Sequence, residues 1–322
     1  MVKAGIDIGA HSIRLSLGDE GLVFEEPALG AFNSKGDILA IGNKALELKG
    51  KSSDIIVQAP IREGRVDLPV LEAILDELCY EFKLFRLFQK TVLVVSYPTV
   101  LSEEMIDRLK TAFEDLGADE LYFNPEIWLS AIGAGLDLFL PVATSVMNIG
   151  YSNCDIAIFR NGQMEAHESH PHLNGETAAK LVHNWLVTRH NLEVSAMAVD
   201  QIVQMLGNVR IQSEPRALKV RGIDRDSKQM AEVIINENEV AAILAPLARD
   251  LSEWVCSFLH TQRQPVLLDM KERGIIASGG TMKIQGLADT ISTLADCPVY
   301  ITDQPDHTAL RGIESLLKTI EG

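Results

Sequence analysis

Two distant stretches of the chain share one alternation of apolar and polar positions. KAGIDIGAHSIRL (residues 3–15) and MNIGYSNCDIAIF (147–159) each run apolar into a Gly-centred turn of small polar residues and leave as a second alternating strand. Alternation on either side of a tight turn predicts a β-hairpin in each. Residues 4–17 and 21–32 read as strands around the turn GDEG. The more polar 33–68 reads as a small subdomain, and 68–85 has apolar residues at helical spacing, among them Val70, Ile74 and Leu78. TVLVVSYP (91–98) is the continuous apolar run of a buried strand. Ser102 with Glu103 and Glu104 predicts a helix start, a hydroxyl cap followed by acids at the positive end of the dipole. Met105, Ile106, Leu109, Ala112, Phe113 and Leu116 form its apolar stripe, and Gly117 ends it. The strand ELYF then leads to a helix beginning at Pro125–Glu126.

The second half restarts the pattern. After the hairpin at 145–159 come the turn RNGQ, another strand, a helix from about Glu176 to His190 and a mostly helical stretch to Leu206. Residues 217–236 alternate like a hairpin around a polar turn, 237–260 are helical, and GIIASGGTMKIQGLADTIS (274–292) is strand, Gly-rich turn, helix. Two α/β halves opening on the same hairpin predict a duplicated architecture with a cleft between the halves.

With 322 residues and 47% hydrophobic content, the chain is long enough for two domains with real cores. No run of eighteen apolar residues occurs, and MVKAGIDIG enters a strand directly, which predicts a protein neither exported nor membrane-spanning. Cys79, Cys154, Cys256 and Cys297 are far apart and fit neither a CxxC pair nor a zinc pattern, so they read as reduced cytoplasmic thiols. A net charge of −16 argues against nucleic acid as a partner, because phosphate backbones are bound by Lys and Arg that release counterions.

The hairpins carry the candidate chemistry. Gly9 in DIGAHS stands where backbone must approach something closely, and the amides and hydroxyls that follow suit phosphate oxygens. Asp7, just before the turn, is placed to hold a magnesium ion through water, since magnesium keeps several waters and takes few carboxylates. ASGGT (277–281) is a third Gly turn.

On these motifs the chain resembles the actin-fold ATPases, and within them the MreB group of bacterial actins. GIDIGAHSIRL, GLVFEEPALGAF, PIREGRVDLPVLEAIL, NPEIWLSAIGAGL, KVRGIDRDSKQMAEVIINENEV, RGIIASGGTMKIQGL and PVYITDQPDHTALRGI fall in family order across essentially the whole chain. The resemblance implies an α/β, duplicated actin-like (ribonuclease H-like) fold, two lobes of two subdomains around a nucleotide cleft. The first lobe would be 1–140 with a small insert at about 33–68. The second would be 141–322 with an insert at about 181–240 and a C-terminal helix returning to the first. It further implies ATP or ADP with Mg2+, homopolymers of antiparallel double protofilaments, work with cell-wall synthesis or partner actin-like proteins, and a cytoplasmic location at the inner face of the cell membrane. Position by position, Asp7, Gly9, His11 and Ser12 match the first phosphate loop, and Asn148, Gly150, Ser152 and Asn153 the second. Glu126 matches a glutamate that positions the attacking water. Asn174, Gly175 and Glu176 match a nucleotide-binding loop entering its helix, and Gly279 and Gly280 the adenosine-side turn.

The second loop departs from the family pattern DIGGGTT. Here Asn148 replaces Asp, Tyr151 and Ser152 replace glycines, and Asn153 and Cys154 replace threonines. Val203 stands where the family usually has a basic residue near the adenosine. Each change removes a group that orients water, a metal shell or phosphate, which leaves three outcomes open: slow hydrolysis, binding without hydrolysis, or complete loss of nucleotide binding.

EFKLFRLFQK (81–90) falls where MreB-like proteins carry a hydrophobic membrane loop. Leu84, Phe85, Leu87 and Phe88 would insert, while Lys83, Arg86 and Lys90 would meet anionic headgroups at about 1 kcal/mol each. The histidines of HESHPH (His167, His170, His172) lack the ligand spacing of a metal site and read as loop residues. Three functions fit: a membrane-bound filament, a nucleotide-binding adaptor of partner filaments, or a phosphotransferase, the last disfavoured because no Asp base for a substrate hydroxyl stands out.

Overall fold

The computed structural model describes residues 1–18, 20–62, 65–86 and 88–320. The backbone gathers into two compact units, Met1–Asp137 with Tyr151–Asn153 and His307–Gly322, and Leu138–Gly150 with Cys154–Asp306.

The first unit is built on five strands: β1 (Val2–Ile8), β2 (Ser12–Leu17), β3 (Gly21–Pro27), β4 (Thr91–Tyr97) and β5 (Glu120–Pro125). Their order is β5-β4-β1-β2-β3, an antiparallel meander of the first three with β4 and β5 added parallel to β1. The second unit repeats this with β6 (Thr144–Ile149), β7 (Cys154–Arg160), β8 (Gln163–Ser169), β9 (Ile275–Ser278) and β10 (Val299–Ile301), ordered β8-β7-β6-β9-β10. The parallel strands β4 and β6 are buried almost end to end, as the unbroken apolar run of β4 requires. Each unit carries a three-stranded insert: Gly30–Phe32, Ile38–Ile41 and Ile56–Gln58 in the first, Leu192–Glu193, Ala217–Asp224 and Met230–Asn236 in the second.

Helix starts follow local chemistry. The Ser102 hydroxyl accepts from the Met105 amide 3.3 Å away and opens Glu103–Asp115. Asn236 and Glu239 form a reciprocal capping box that opens the long helix Glu237–His260. At that helix's first turn Arg216 grips Glu237 with two guanidinium bonds, and Asn208 adds a third. The Arg216 bonds, against the opposing effect of burial, pull the Glu237 carboxyl down to about 2. The helix expected over 68–85 stops at Glu81. Lys83 turns left-handed (φ 52°), its N–H bonds to the Tyr80 carbonyl, and the Leu84 N–H reaches back to the Cys79 carbonyl at 3.0 Å. This is a Schellman ending, and the apolar residue after the left-handed position folds back onto the helix.

Burial pushes the Cys79 thiol up to about 12 and the Cys154 thiol well above its ordinary range, so neither is a nucleophile at neutral pH. No helix among the described residues is long and apolar enough to cross a membrane.

The helix Thr308–Thr319 packs on β1 and on the helix Glu126–Gly133. At the crossing, a Cβ added to Gly312 would overlap the Leu129 carbonyl, and one added to Gly133 would overlap the Thr308 carbonyl. Neighbouring Leu129, Leu310, Ile313 and Leu317 close a small core with Val94. Gly312→Val is therefore expected to lower the unfolding free energy by about 2 kcal/mol or more, through forced separation of two packed backbones. Urea unfolding of the purified variant checks this, and an unchanged midpoint would refute the contact.

Candidate functional site

In the first hairpin the Gly9 N–H bonds to the Ser12 carbonyl at 3.1 Å, and a Cβ on Gly9 would meet that oxygen at 2.7 Å. The turn is thus tight enough to demand glycine. His11 is exposed and its ring lies 4.9 Å from that of Tyr151, which groups with this unit. Asp7, 3% exposed, accepts a 3.0 Å bond on Oδ2 from Arg14, while its Oδ1 is buried with no partner.

Arg14 is itself buried and donates from Nε to Glu25 at 2.8 Å, and Glu25 meets the His307 ring at 3.1 Å. The register explains the row: Asp7 pairs with Arg14 across β1 and β2, and Arg14 with Glu25 across β2 and β3. Burial opposes the Arg14 charge, but Asp7 and then Glu25 outweigh it and raise the guanidinium further. Burial likewise pushes the Glu25 carboxyl up, and the bonds from Arg14 and His307 overcome this to hold it below the usual range.

Glu126 opens its helix directly after Pro125, whose fixed φ of −64° sets the entry. Its Oε2 accepts a 3.0 Å bond from the Asn153 amide. The Ser152 hydroxyl beside it is buried and unpartnered.

In the second unit Asn148 takes the place that Asp7 has in the first. Its Oδ1 accepts from the Ser278 hydroxyl at 3.1 Å, and its Nδ2 is buried with no partner. Across the strands it pairs with Asp155, and Asp155 with Ser169. Asp155 accepts from Ser169 and lies 3.2 Å from the His167 ring. The carboxylate missing before the turn therefore reappears one strand over, already engaged.

Three distant stretches meet at Gly150, whose carbonyl accepts from the Gly175 N–H (3.0 Å) and the Thr281 hydroxyl (2.8 Å). Asn174 spends its side chain capping the helix Gly175–His190, accepting from the Thr177 amide and donating to the Pro171 carbonyl, and Glu176 pairs with Lys180. Gly279 sits at φ 92° with no room for a Cβ against the Ile149 carbonyl, and a Cβ on Gly280 would make ordinary contact with Asp306 at 3.7 Å. Val203 packs on the apolar core of this unit.

The membrane candidates divide. Leu84 is 1% exposed and belongs to the core, which corrects its expected insertion: the Schellman turn carries it inward. Phe85 packs partly on the same core. Phe88 is fully exposed at the tip of the turn bridged by Arg86 and Gln89, and Lys90 pairs with Glu120. Leu87 lies outside the described residues.

Asp7 offers one acceptor to a hydrated magnesium ion: Oδ2 is committed to a guanidinium, and Oδ1, buried and unpartnered, is the oxygen that would accept from a metal-bound water. Asn148 would offer such a shell only a donor, and Asp155 is engaged. Among the described residues no group of three or more His, Cys, Asp or Glu is placed to hold a metal ion. Sequence reading missed Arg14, Glu25 and Ser278. Arg14 was countable, since a turn centred between residues 10 and 11 must pair 7 with 14.

Two α/β units with the same five-strand order, each with a Gly turn after the first strand, define the actin-like fold. The structure superimposes on MreB5 of Spiroplasma citri bound to AMPPNP with a TM-score of 0.89 at 20% identity, covering 99% of this chain and 96% of that one. It also matches the MamK double helical filament, TM-score 0.81 at 15% identity, covering 99% of each chain. The chain belongs to the MreB/Mbl family, whose description "MreB/Mbl protein" matches residues 1–322. It is 24% identical over 320 residues to the cell shape-determining protein Mbl of Bacillus subtilis (strain 168), covering 98% of this chain and 96% of that protein. To the cell shape-determining protein MreB of Escherichia coli (strain K12) it is 21% identical over 325 residues, covering 98% and 93%.

The Arg14 row has a pH signature. A carboxyl held low in the folded state stabilises the fold above the ordinary carboxylate range, and that contribution fades as pH falls through the folded value. Arg14→Gln releases Glu25, so the gap in urea midpoint between wild type and variant is expected to be widest near neutral pH. It should narrow on acidification below about pH 4. A gap that stays constant across this range contradicts the pairing.

Proposed function

We propose that this chain is a nucleotide-binding, filament-forming actin homologue of the cell-shape machinery that hydrolyses ATP slowly or not at all and rests on a membrane surface. The observation that carries the nucleotide reading is the junction at Gly150, where the second hairpin, the Asn174–Gly175 helix entry and the Gly279–Thr281 turn are tied by hydrogen bonds. Nucleotide-bound MreB5 and the MamK filament, similar in fold, support nucleotide binding and polymerisation. Filaments are expected as antiparallel protofilament pairs, serving cell-wall synthesis directly or through partner actin-like proteins.

The slow site follows from Asn148 and Asn153. An acid before the second turn would accept hydrogen bonds from water or a metal shell; Asn148 has its oxygen on Ser278 and only a donor left. Glu126, the carboxylate that would orient the attacking water, accepts an amide from Asn153 instead of facing a threonine hydroxyl. Loss of groups that position water removes orders of magnitude in rate. Purified protein with ATP should form filaments by electron microscopy yet release phosphate at least about tenfold more slowly than Bacillus subtilis Mbl. Equal turnover rejects the slow site, and the absence of filaments at high concentration turns the reading to a non-polymerising adaptor.

The membrane contact rests on Phe88, with Lys83, Arg86 and Lys90 around it. One inserted phenylalanine contributes about 2 kcal/mol and each basic residue about 1 kcal/mol. Such a contact is weak in a monomer and is multiplied in a polymer. Phe88→Ser is expected to abolish co-sedimentation with anionic liposomes while leaving the circular dichroism spectrum unchanged; retained binding places the anchor elsewhere.

A further inference from the structure

We infer that His170 is a positioning residue for the helix entry at Asn174–Gly175 and that it works only as a neutral imidazole, so that a nucleotide bound there is released on acidification. The inference rests on the nucleotide binding proposed above and adds its regulation.

One peptide plane joins His170 to Asn174. Between Pro171 and His172 its N–H donates to the His170 Nδ1 at 3.2 Å, and its carbonyl accepts from the Asn174 side-chain amide at 2.9 Å. A peptide unit is rigid, so the ring on one side and Asn174 on the other clamp the same plate. The Asn174 Oδ1 then caps the helix on the Thr177 amide at 3.1 Å, and the Gly175 N–H reaches the Gly150 carbonyl at 3.0 Å. His170 is itself anchored, its backbone N–H bonded to the Cys154 carbonyl at 2.8 Å. All of these residues lie in the second unit.

A backbone amide can only donate, so Nδ1 is the lone-pair nitrogen and the ring is neutral, its proton on Nε2. Protonation places a hydrogen on Nδ1 opposite the His172 N–H, and two donors then face each other. The plane is released at one end, and Asn174 loses the fixed carbonyl to which it donates. The ring is half-buried against Trp254, centroids 6.1 Å apart, and the Trp254 indole N–H is bonded to Glu168 at 2.6 Å. The titratable groups that face it are His172 on its own loop, Glu168 on β8 and Asp250 on the helix Glu237–His260. Burial, and after it His172, hold the ring below the ordinary imidazole range against the two acids. The clamp is thus complete above the ordinary value of about 6.5 and is lost as pH falls through the lower value of the folded chain.

The test is titration of the full chain with a fluorescent ADP analogue at about pH 7.5 and about pH 5.5, on either side of the ordinary imidazole value. His170→Asn supplies a side-chain oxygen that accepts the amide two residues on, as in an Asx turn, and does not titrate. It is expected to bind within about twofold of wild type at the higher pH, while the acid-to-neutral Kd ratio of wild type exceeds that of the variant by at least about threefold. The analogue's own phosphates titrate alike for every protein, so the difference between the ratios isolates His170. His170→Ala removes the acceptor and should bind at least about threefold more weakly than wild type at the higher pH. Circular dichroism at both pH values checks the fold, and if His170→Ala unfolds, His170→Asn carries the test by itself. Equal ratios in wild type and His170→Asn, or a folded His170→Ala that binds as tightly as wild type, overturn this inference and leave nucleotide binding standing. Wild type that binds at neither pH overturns both.

Discussion

The geometry of the first unit depends on a helix crossing with no space for side chains. Gly133 and Gly312 bring the backbones of two helices together, and Gly5 admits Ile313 against the centre of β1. The residues at stake are far apart in the chain: Asp7 is the penultimate residue of β1, and the other helix begins with Glu126. The small core of Val94, Leu129, Leu310, Ile313 and Leu317 therefore backs the elements that carry the two candidate carboxylates, Asp7 and Glu126. It also makes the first unit discontinuous, so that its sheet is covered only once residues 307–320 exist, whereas the second unit is complete by Asp306.

The two hairpins show what duplication preserves and what it releases. Strand order, the register of the first hairpin and the glycine at its turn are the same in both units, because a five-strand sheet with a meander on one side tolerates few alternatives. The side chains on the shared row have diverged: Asp, Arg, Glu in one copy and Asn, Asp, Ser in the other. Backbone geometry is held by packing that any apolar side chain of suitable size satisfies. The polar row is held only by mutual pairing, and a pair can change in step without disturbing the sheet.

Much of the fold was legible because it is written in local periodicity: the hairpins, the buried run of β4, the Ser102 cap and the long helix from Glu237 were all expected and found. The helix Gln264–Arg273 and strand β10 lay in stretches too short or too polar for a period to show. At the site, glycine turns were readable since their backbone demands are local. The partners of Asp7 and Asn148 were not, because Arg14 and Ser278 are set by strand register, which couples residues that a linear reading keeps apart. The fate of Leu84 turned on one left-handed lysine, Lys83, a conformation that residue type alone does not announce.

Arg14 also alters what an acid at position 7 can be used to diagnose. With its guanidinium sunk between two carboxylates, loss of Asp7 would leave a buried charge with Glu25 as its remaining partner, a larger penalty than a surface substitution incurs. The aspartate at position 7 therefore has a folding role of its own, and a DxG signature by itself does not separate that role from contact with a nucleotide.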